Sequence, residues 1–268
     1  MVELAVPAVG LEHAVCGRFQ SGSGCEFGGG AQLAWDPVNL VARSEMAGLV
    51  VLTGAGISVE SGLSVFRGPD GLWEGHQVSD VATPEGFAAD PVTVQRFYNG
   101  LRRRSAAAEP NAAHYALAHL ECALGERMHL VTQNIDDLHQ RAGSSRVTAM
   151  HGEVRKIRNV HTGQVLDWPH DVLETEAAWR PHVVWFGELT IGLNAVVEKL
   201  SAAELFVAIG TSGTVHPASQ FAMIAKAAGA TTVEINTEPT GGLFDECWTG
   251  PATQRVPELV DRILDSTN

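Results

Sequence analysis

The chain is expected to fold as an α/β protein built on a doubly wound parallel sheet, and three observations lead there. Short apolar, β-branched runs recur along it, and each of five ends in small or polar residues. Helical patterns separate the runs, the alternation that produces parallel strands covered on both faces. The 268 residues, 45% of them apolar, suffice for one large domain with a smaller lobe inserted into it.

The elements follow in order. Residues 1–45 carry Ser21-Gly-Ser-Gly24 and Gly28-Gly-Gly30 without a sustained period, and are expected to form a partly disordered N-terminal extension. Leu49–Leu52 reads as the first strand, ending in Gly54-Ala-Gly56, with a helical segment after it. Residues 76–125 are mostly helical: Pro84 to Phe87 opens one helix, and Glu109 to His114 separates two others. Met128–Val131 is a strand ending in Thr132-Gln-Asn-Ile-Asp136, and Arg146–Met150 is another, ending in His151-Gly152. Residues 153–182, with Trp168, Pro169, Trp179 and Pro181, show no clear period. Leu205–Ile209 ends in Gly210-Thr-Ser212, and Thr231–Ile235 ends in Asn236-Thr-Glu238. Between those two strands, Pro217–Ala228 reads as a helix with proline in its first turn. The large domain is therefore assigned to 46–75, 126–152 and 183–268. Residues 76–125 and 153–182 form a small lobe, one wall of a cleft.

Composition narrows the function. Eighteen basic residues against thirty-one acidic ones give a net charge of −13. That field disfavours nucleic acid and anionic lipid and mildly favours basic peptides. The run Arg102-Arg103-Arg104 reads as a solvated helix face. No apolar run approaches the ~20 residues of a membrane span, and no secretion signal is evident, so a cytoplasmic location is expected. None of Cys16, Cys25, Cys122 and Cys247 stands at C-x-x-C spacing. Neither a zinc site nor a redox pair is signalled, and Cys122 reads as a buried small apolar residue.

The chemistry lies at the strand ends. In an open parallel sheet, ligands bind in the crevice outside the carboxyl ends of the strands. Glycines in Gly54-Ala-Gly56 let backbone N–H groups approach a pyrophosphate at a helix N-terminus. The spacing onward to Gly62 is not G-x-G-x-x-G, so the dehydrogenase fingerprint does not fit. The following loop, Ser64 to Trp73, carries Phe66, Arg67 and Gly68 and suits closure over a dinucleotide.

Taken together, Gly54-Ala-Gly-Ile-Ser58, Phe66-Arg67-Gly68, Thr132 to Asp136, His151-Gly152, Val184-Trp-Phe-Gly-Glu188, Gly210 to Ser212 and Asn236 to Glu238 resemble, in order, the motif set of the sirtuins. The resemblance spans about residues 46 to 257 and implies a Rossmann-like NAD-binding domain and NAD-dependent protein-lysine deacylation, deacetylation included. In that chemistry the acyl group passes from lysine to ADP-ribose and nicotinamide is released. Gly54, Ala55, Gly56, Gly210, Thr211, Ser212, Asn236, Thr237, Glu238 and Ala252 are implied to hold the phosphates and adenosine. Glu60, Phe66, Arg67, Trp73 and Ile135 complete the cofactor set. Gln133 and Asn134 are implied at the nicotinamide ribose, Asn134 also in catalysis, and Asp136 at the carboxamide. His151 is implied as general base toward a ribose hydroxyl; its ordinary pKa of ~6.5 suits that task. Val184, Trp185, Phe186 and Gly187 are implied to pair with an acyl-lysine peptide as an added strand. The protein is expected to act as a monomer.

Two departures from the family stand out. Most sirtuins hold a structural zinc with four small-lobe cysteines. Here Asn159 and Thr162 stand where the first pair is expected, the segment is short, and His161, Asp167, His170 and Asp171 have irregular spacing. A reduced, zinc-free remnant is expected. Phe97-Tyr98-Asn99 resembles the Tyr-x-x-Arg segment of the desuccinylase-like branch, yet Leu101 holds the Arg position. Arg102, one step later, is rotated by ~100° and aims away. Tyr98 and Leu101 are thus expected to line an acyl site suited to apolar chains. Alternatives from the same residues are a sirtuin-like mono-ADP-ribosyltransferase, an NAD glycohydrolase, or a catalytically weak NAD-binding interaction module.

Overall fold

Eleven strands and eight α-helices organise the described residues. The strands are β1 (Leu49–Thr53), β2 (Leu72–Trp73), β3 (His76–Gln77), β4 (Met128–Thr132), β5 (Val147–Ala149), β6 (Gly152–Asn159), β7 (Val165–Asp167), β8 (Trp179–Val183), β9 (Leu205–Ile209), β10 (Thr231–Asn236) and β11 (Glu246–Thr249). The helices are α1 (Val78–Val81), α2 (Pro84–Ala89), α3 (Pro91–Ala107), α4 (Ala112–Leu124), α5 (Leu138–Arg141), α6 (Leu193–Ser201), α7 (Phe221–Ala227) and α8 (Ala252–Asp265). The computed structural model describes residues 48–65 and 72–265. The N-terminal extension and the loop residues Phe66 and Arg67 lie outside them. The described residues all belong to one unit, Leu40–Asn268.

The main sheet is parallel, in the order β11-β10-β9-β1-β4-β5. The chain builds outward from β1 through β4 to β5, then returns beside β1 with β9 and builds the other way. This order reverses between β1 and β9, and at such a point a crevice opens at the strand ends. All five sequence-read strands are present. The sixth, β11, has the sequence Glu-Cys-Trp-Thr, too polar to signal a buried strand.

Side chains alternate across the sheet. Leu49 and Val51 join the core formed with α4 and α8, while Val50 and Leu52 join the core formed with α6 and α7. α8 buries Ala252, Val256, Leu259, Val260 and Ile263, the one-face spacing of an amphipathic helix. Fully burying each of the larger aliphatic side chains contributes roughly 1.5–3 kcal/mol.

A third core joins Val81, Phe97 and Tyr98 of the helical insert to Val154 of β6, with Val183 and Trp185. The small lobe thus comprises α1–α3 and the sheet β7-β6-β8. That sheet was illegible in the sequence because β6 is bulged between Gly152 and Ile157, which breaks its period of two. α4 corrects the sequence boundary at residue 125: Ala113, Leu117, Leu120 and Leu124 pack in the main core, not in the lobe. The same geometry corrects Cys122, which is exposed, because two residues beyond Leu120 it lies on the opposite side of the helix. Arg102 is corrected too. Instead of joining a solvated face it is 1% exposed, donating to Val154 O and Asn99 Oδ1, and burial pushes its pKa down to about 10.

Candidate active site

The crevice is a cavity of about 940 Å³, lined from the strand ends of the main sheet and from the small lobe. Its floor is a glycine contact between the two strands at the reversal. Gly56 N donates to Gly210 O at 2.8 Å. A Cβ on Gly56 would stand 2.6 Å from Gly210 Cα, and Gly210 itself has φ +60. Only glycines allow this approach. It brings the turn Gly54–Gly56 against Thr211, whose Oγ1 accepts from Gln133 Nε2 at 2.9 Å. Asn236 Nδ2 donates to Thr211 O and ties in the loop after β10.

The loop after β4 supplies the enclosed polar groups. Asn134 Nδ2 donates to Gly54 O and to Ser58 Oγ, each at 3.2 Å. Ser58 Oγ donates to Asp136 Oδ2 at 3.1 Å, and Leu138 N donates to Asp136 Oδ1. Burial pushes the Asp136 carboxyl above the usual range, against those two hydrogen bonds. Ser58 was not singled out as a site residue, although it falls inside the motif; its role depends on two partners nearly eighty residues away.

His151 follows β5. Its Nδ1 lies 3.0 Å from Gln133 O. A carbonyl only accepts, so Nδ1 carries the proton and Nε2 keeps the lone pair of the ring. Burial lowers the His151 pKa, with the Gln133 contact opposing it. The next residue must be glycine: Gly152 has φ +81, and a Cβ there would stand 2.1 Å from His182 O.

Val184, Trp185, Phe186 and Gly187 line the same cavity. Glu188 holds the segment, accepting from Trp185 N and from Arg180, whose guanidinium also covers the Trp185 ring at 3.4 Å. Burial alone would raise the Glu188 pKa, but those contacts hold it below the carboxylate range. The N–H groups of Val184 and Phe186 donate to His151 O and Ala82 O. With the Trp185 N–H also used, an added strand would meet the segment's carbonyls and Gly187.

Tyr98 and Leu101 of α3 line the cavity as well, and the Tyr98 hydroxyl accepts from Trp185 Nε1 at 2.8 Å. Trp73, Ile135, Thr237 and Ala252 are at the wall. Glu60 is too, but its carboxylate accepts from Thr253 N and Oγ1 at the start of α8. Glu238 does not line the cavity, being in the exposed turn after β10. Sequence reasoning missed Val154, Arg104 and Thr214, which reach the wall from elements whose motifs say nothing of it.

The donor set fits a dinucleotide. Glycine backbone and neutral hydroxyls gather at the strand reversal, and a buried amide, a buried carboxyl and a half-buried imidazole gather on the loops after β4 and β5. The Sir2 family model matches residues 54–217. The NAD-dependent protein deacylase of Shigella flexneri is 55% identical over 229 residues, covering 81% of this chain and 84% of that protein. The NAD-dependent protein deacylase of Escherichia coli strain K12 is 55% identical over 228 residues, covering 81% and 82%. Among solved structures, a Sir2 homologue in complex with NAD superposes with a TM-score of 0.78 at 35% identity, covering 85% of this chain and 94% of that one. The chain belongs to the Sir2, or sirtuin, family and is an NAD-dependent protein deacylase.

Proposed function

We propose that His151 is the general base of an NAD-dependent lysine deacylation in which this cavity holds NAD and acyl-lysine together. The observation that carries the reading is the fixed tautomer of His151, which leaves Nε2 as its basic nitrogen in a cavity lined both by the glycine turn and by Trp185. NAD supplies an electrophilic ribose carbon when its nicotinamide departs. The chain's part is to bind, orient and move a proton. Asn134, held by Gly54 O and Ser58 Oγ, presents its amide at the ribose, and Asp136 receives the nicotinamide carboxamide. Nε2 of His151 takes a proton from a ribose hydroxyl, and its lowered pKa keeps it unprotonated at neutral pH.

His151→Ala is expected to lower deacylation by about 10²–10⁴-fold with the circular dichroism spectrum unchanged. Activity equal to the wild type would remove His151 from this role.

The acyl end of the cavity supports an apolar acyl group. Leu101 lies at the wall, Arg102 is turned into the lobe, and the cavity-lining Arg104 pairs with Glu74 at 3.3 Å. We also infer that the lobe folds without metal. Where the first cysteine pair is expected, Asn159 Oδ1 accepts from His161 N and Thr162 N, and Thr162 Oγ1 accepts from Gln164 N. Hydrogen bonds within the turn between β6 and β7 thus do the work of a metal clip.

A further inference from the structure

Behind the glycine turn lies a set of polar side chains that the chemistry above does not use. Thr53 at the end of β1, Thr132 at the end of β4, His139 of α5 and His114 of α4 are each no more than 1% exposed. Thr53 Oγ1 donates to Thr132 Oγ1 at 2.9 Å, and His139 Nε2 lies 2.9 Å from Thr53 Oγ1. Thr132 Oγ1 also accepts from the backbone N–H of Asn134 at 3.1 Å. The loop bearing Gln133, Asn134 and Asp136 is therefore closed through β1, because His139 at its far end meets Thr53, which is bonded to Thr132 where the loop begins.

The protons can be assigned. Thr53 gives its hydroxyl proton to Thr132, so toward His139 it can only accept, and Nε2 of His139 carries a proton. His139 Nδ1 is then a lone pair, and it has no partner. On the neighbouring ring, His114 Nδ1 lies 3.0 Å from Asn111 Oδ1 and 3.3 Å from Asn111 N, and its Nε2 has no partner. The ring centroids are 4.8 Å apart.

We propose that His139 is a positioning residue for Asn134, acting through Thr53 and Thr132. The inference rests on the reading of the site given above. Desolvation keeps both rings neutral, with pKa values of about 4 for His114 and about 3 for His139. The chain therefore transmits geometry and not charge. A buried polar ring costs free energy that an apolar side chain of similar size would not. A displacement of ~1 Å at a reacting group can cost about 10²-fold in rate.

The test compares His139→Leu, Thr53→Val and His139→Gln with the wild type and with Asn134→Ala. The readout is nicotinamide release from NAD with an acetyl-lysine peptide, after circular dichroism and urea unfolding have shown each variant to be folded. His139→Leu and Thr53→Val are expected to lower kcat by about 10- to 100-fold with the peptide KM unchanged. His139→Gln, whose amide N–H can stand near the position of Nε2, is expected to recover to within about threefold of wild type. Wild-type kcat in His139→Leu overturns the inference, and so does a His139→Gln variant as impaired as His139→Leu. If His139→Leu does not fold, Thr53→Val decides, and wild-type kcat there overturns it. Asn134→Ala separates the two readings. Full activity in that variant removes the site assignment itself; loss in it beside unaffected relay variants removes only the relay.

Discussion

Leu101 shows how much one side chain decides. It stands on α3 one turn from Tyr98, at the cavity wall beside Val154 and Val183. Among the described residues, the arginines nearest in sequence are engaged: Arg102 donates to Val154 O and Asn99 and Arg104 pairs with Glu74. Leu101→Arg is expected to raise kcat/KM for a succinyl-lysine peptide relative to its acetyl counterpart by about tenfold or more, since a charge-assisted hydrogen bond contributes ~1.5–3 kcal/mol. Parallel kinetics on the two peptides check it, and an unchanged ratio refutes the placement of Leu101. At this scale the sequence was legible wherever chemistry and spacing coincide: Gly54-Ala-Gly56, Asn134, Asp136 and His151 all fall at the cavity. It was opaque where a partner is remote. Ser58 gains its meaning only from Asn134 and Asp136, and the commitment of Glu60 to Thr253 spans 193 residues.

Among the elements, the small lobe is held by hydrogen bonds and ion pairs. Its three-stranded sheet is tied by the β6–β7 turn, by Glu188 bridging Arg158 and Arg180, and by Arg155 against Asp137. The Asn99 side chain exchanges two bonds with the backbone of Val172 and so fastens the loop between β7 and β8 to α3. Among the described residues no group of three or more His, Cys, Asp or Glu side chains could hold a metal ion. Incubation with a strong chelator is expected to leave the melting temperature and the deacylation rate unchanged, and elemental analysis to find no stoichiometric zinc. A drop in melting temperature that zinc reverses would contradict this. The strands of the main sheet were readable as apolar runs because both faces are covered. β6 and β11 were not, the first because a bulge spoils its alternation and the second because it is short, polar and at the sheet edge.

For the whole molecule, burial of neutral histidines couples stability to acidity. His114 and His139 have folded pKa values of about 4 and about 3, against the usual 6.5. Between those values the unfolded chain binds more protons than the folded one, so stability falls as pH drops below 6.5, by up to about 1.4 kcal/mol per pH unit for each ring. Urea midpoints at about pH 7.5 and about pH 5 measure the loss, and His114→Gln is expected to make it shallower. An equal loss in that variant would clear His114 of any part in it. The architecture was predictable because the strand order places Gly54 and Gly210 at one reversal, where five strand-end motifs converge. The assignment of α4 was not, because an apolar helical face does not say which core it joins. The central claim is acyl transfer to ADP-ribose within one cavity. Mass spectrometry of wild-type protein with NAD and an acetyl-lysine peptide tests it most directly. Nicotinamide, deacetylated peptide and O-acetyl-ADP-ribose are expected in equal amounts. Free ADP-ribose formed at the same rate without any acyl-lysine would contradict the account.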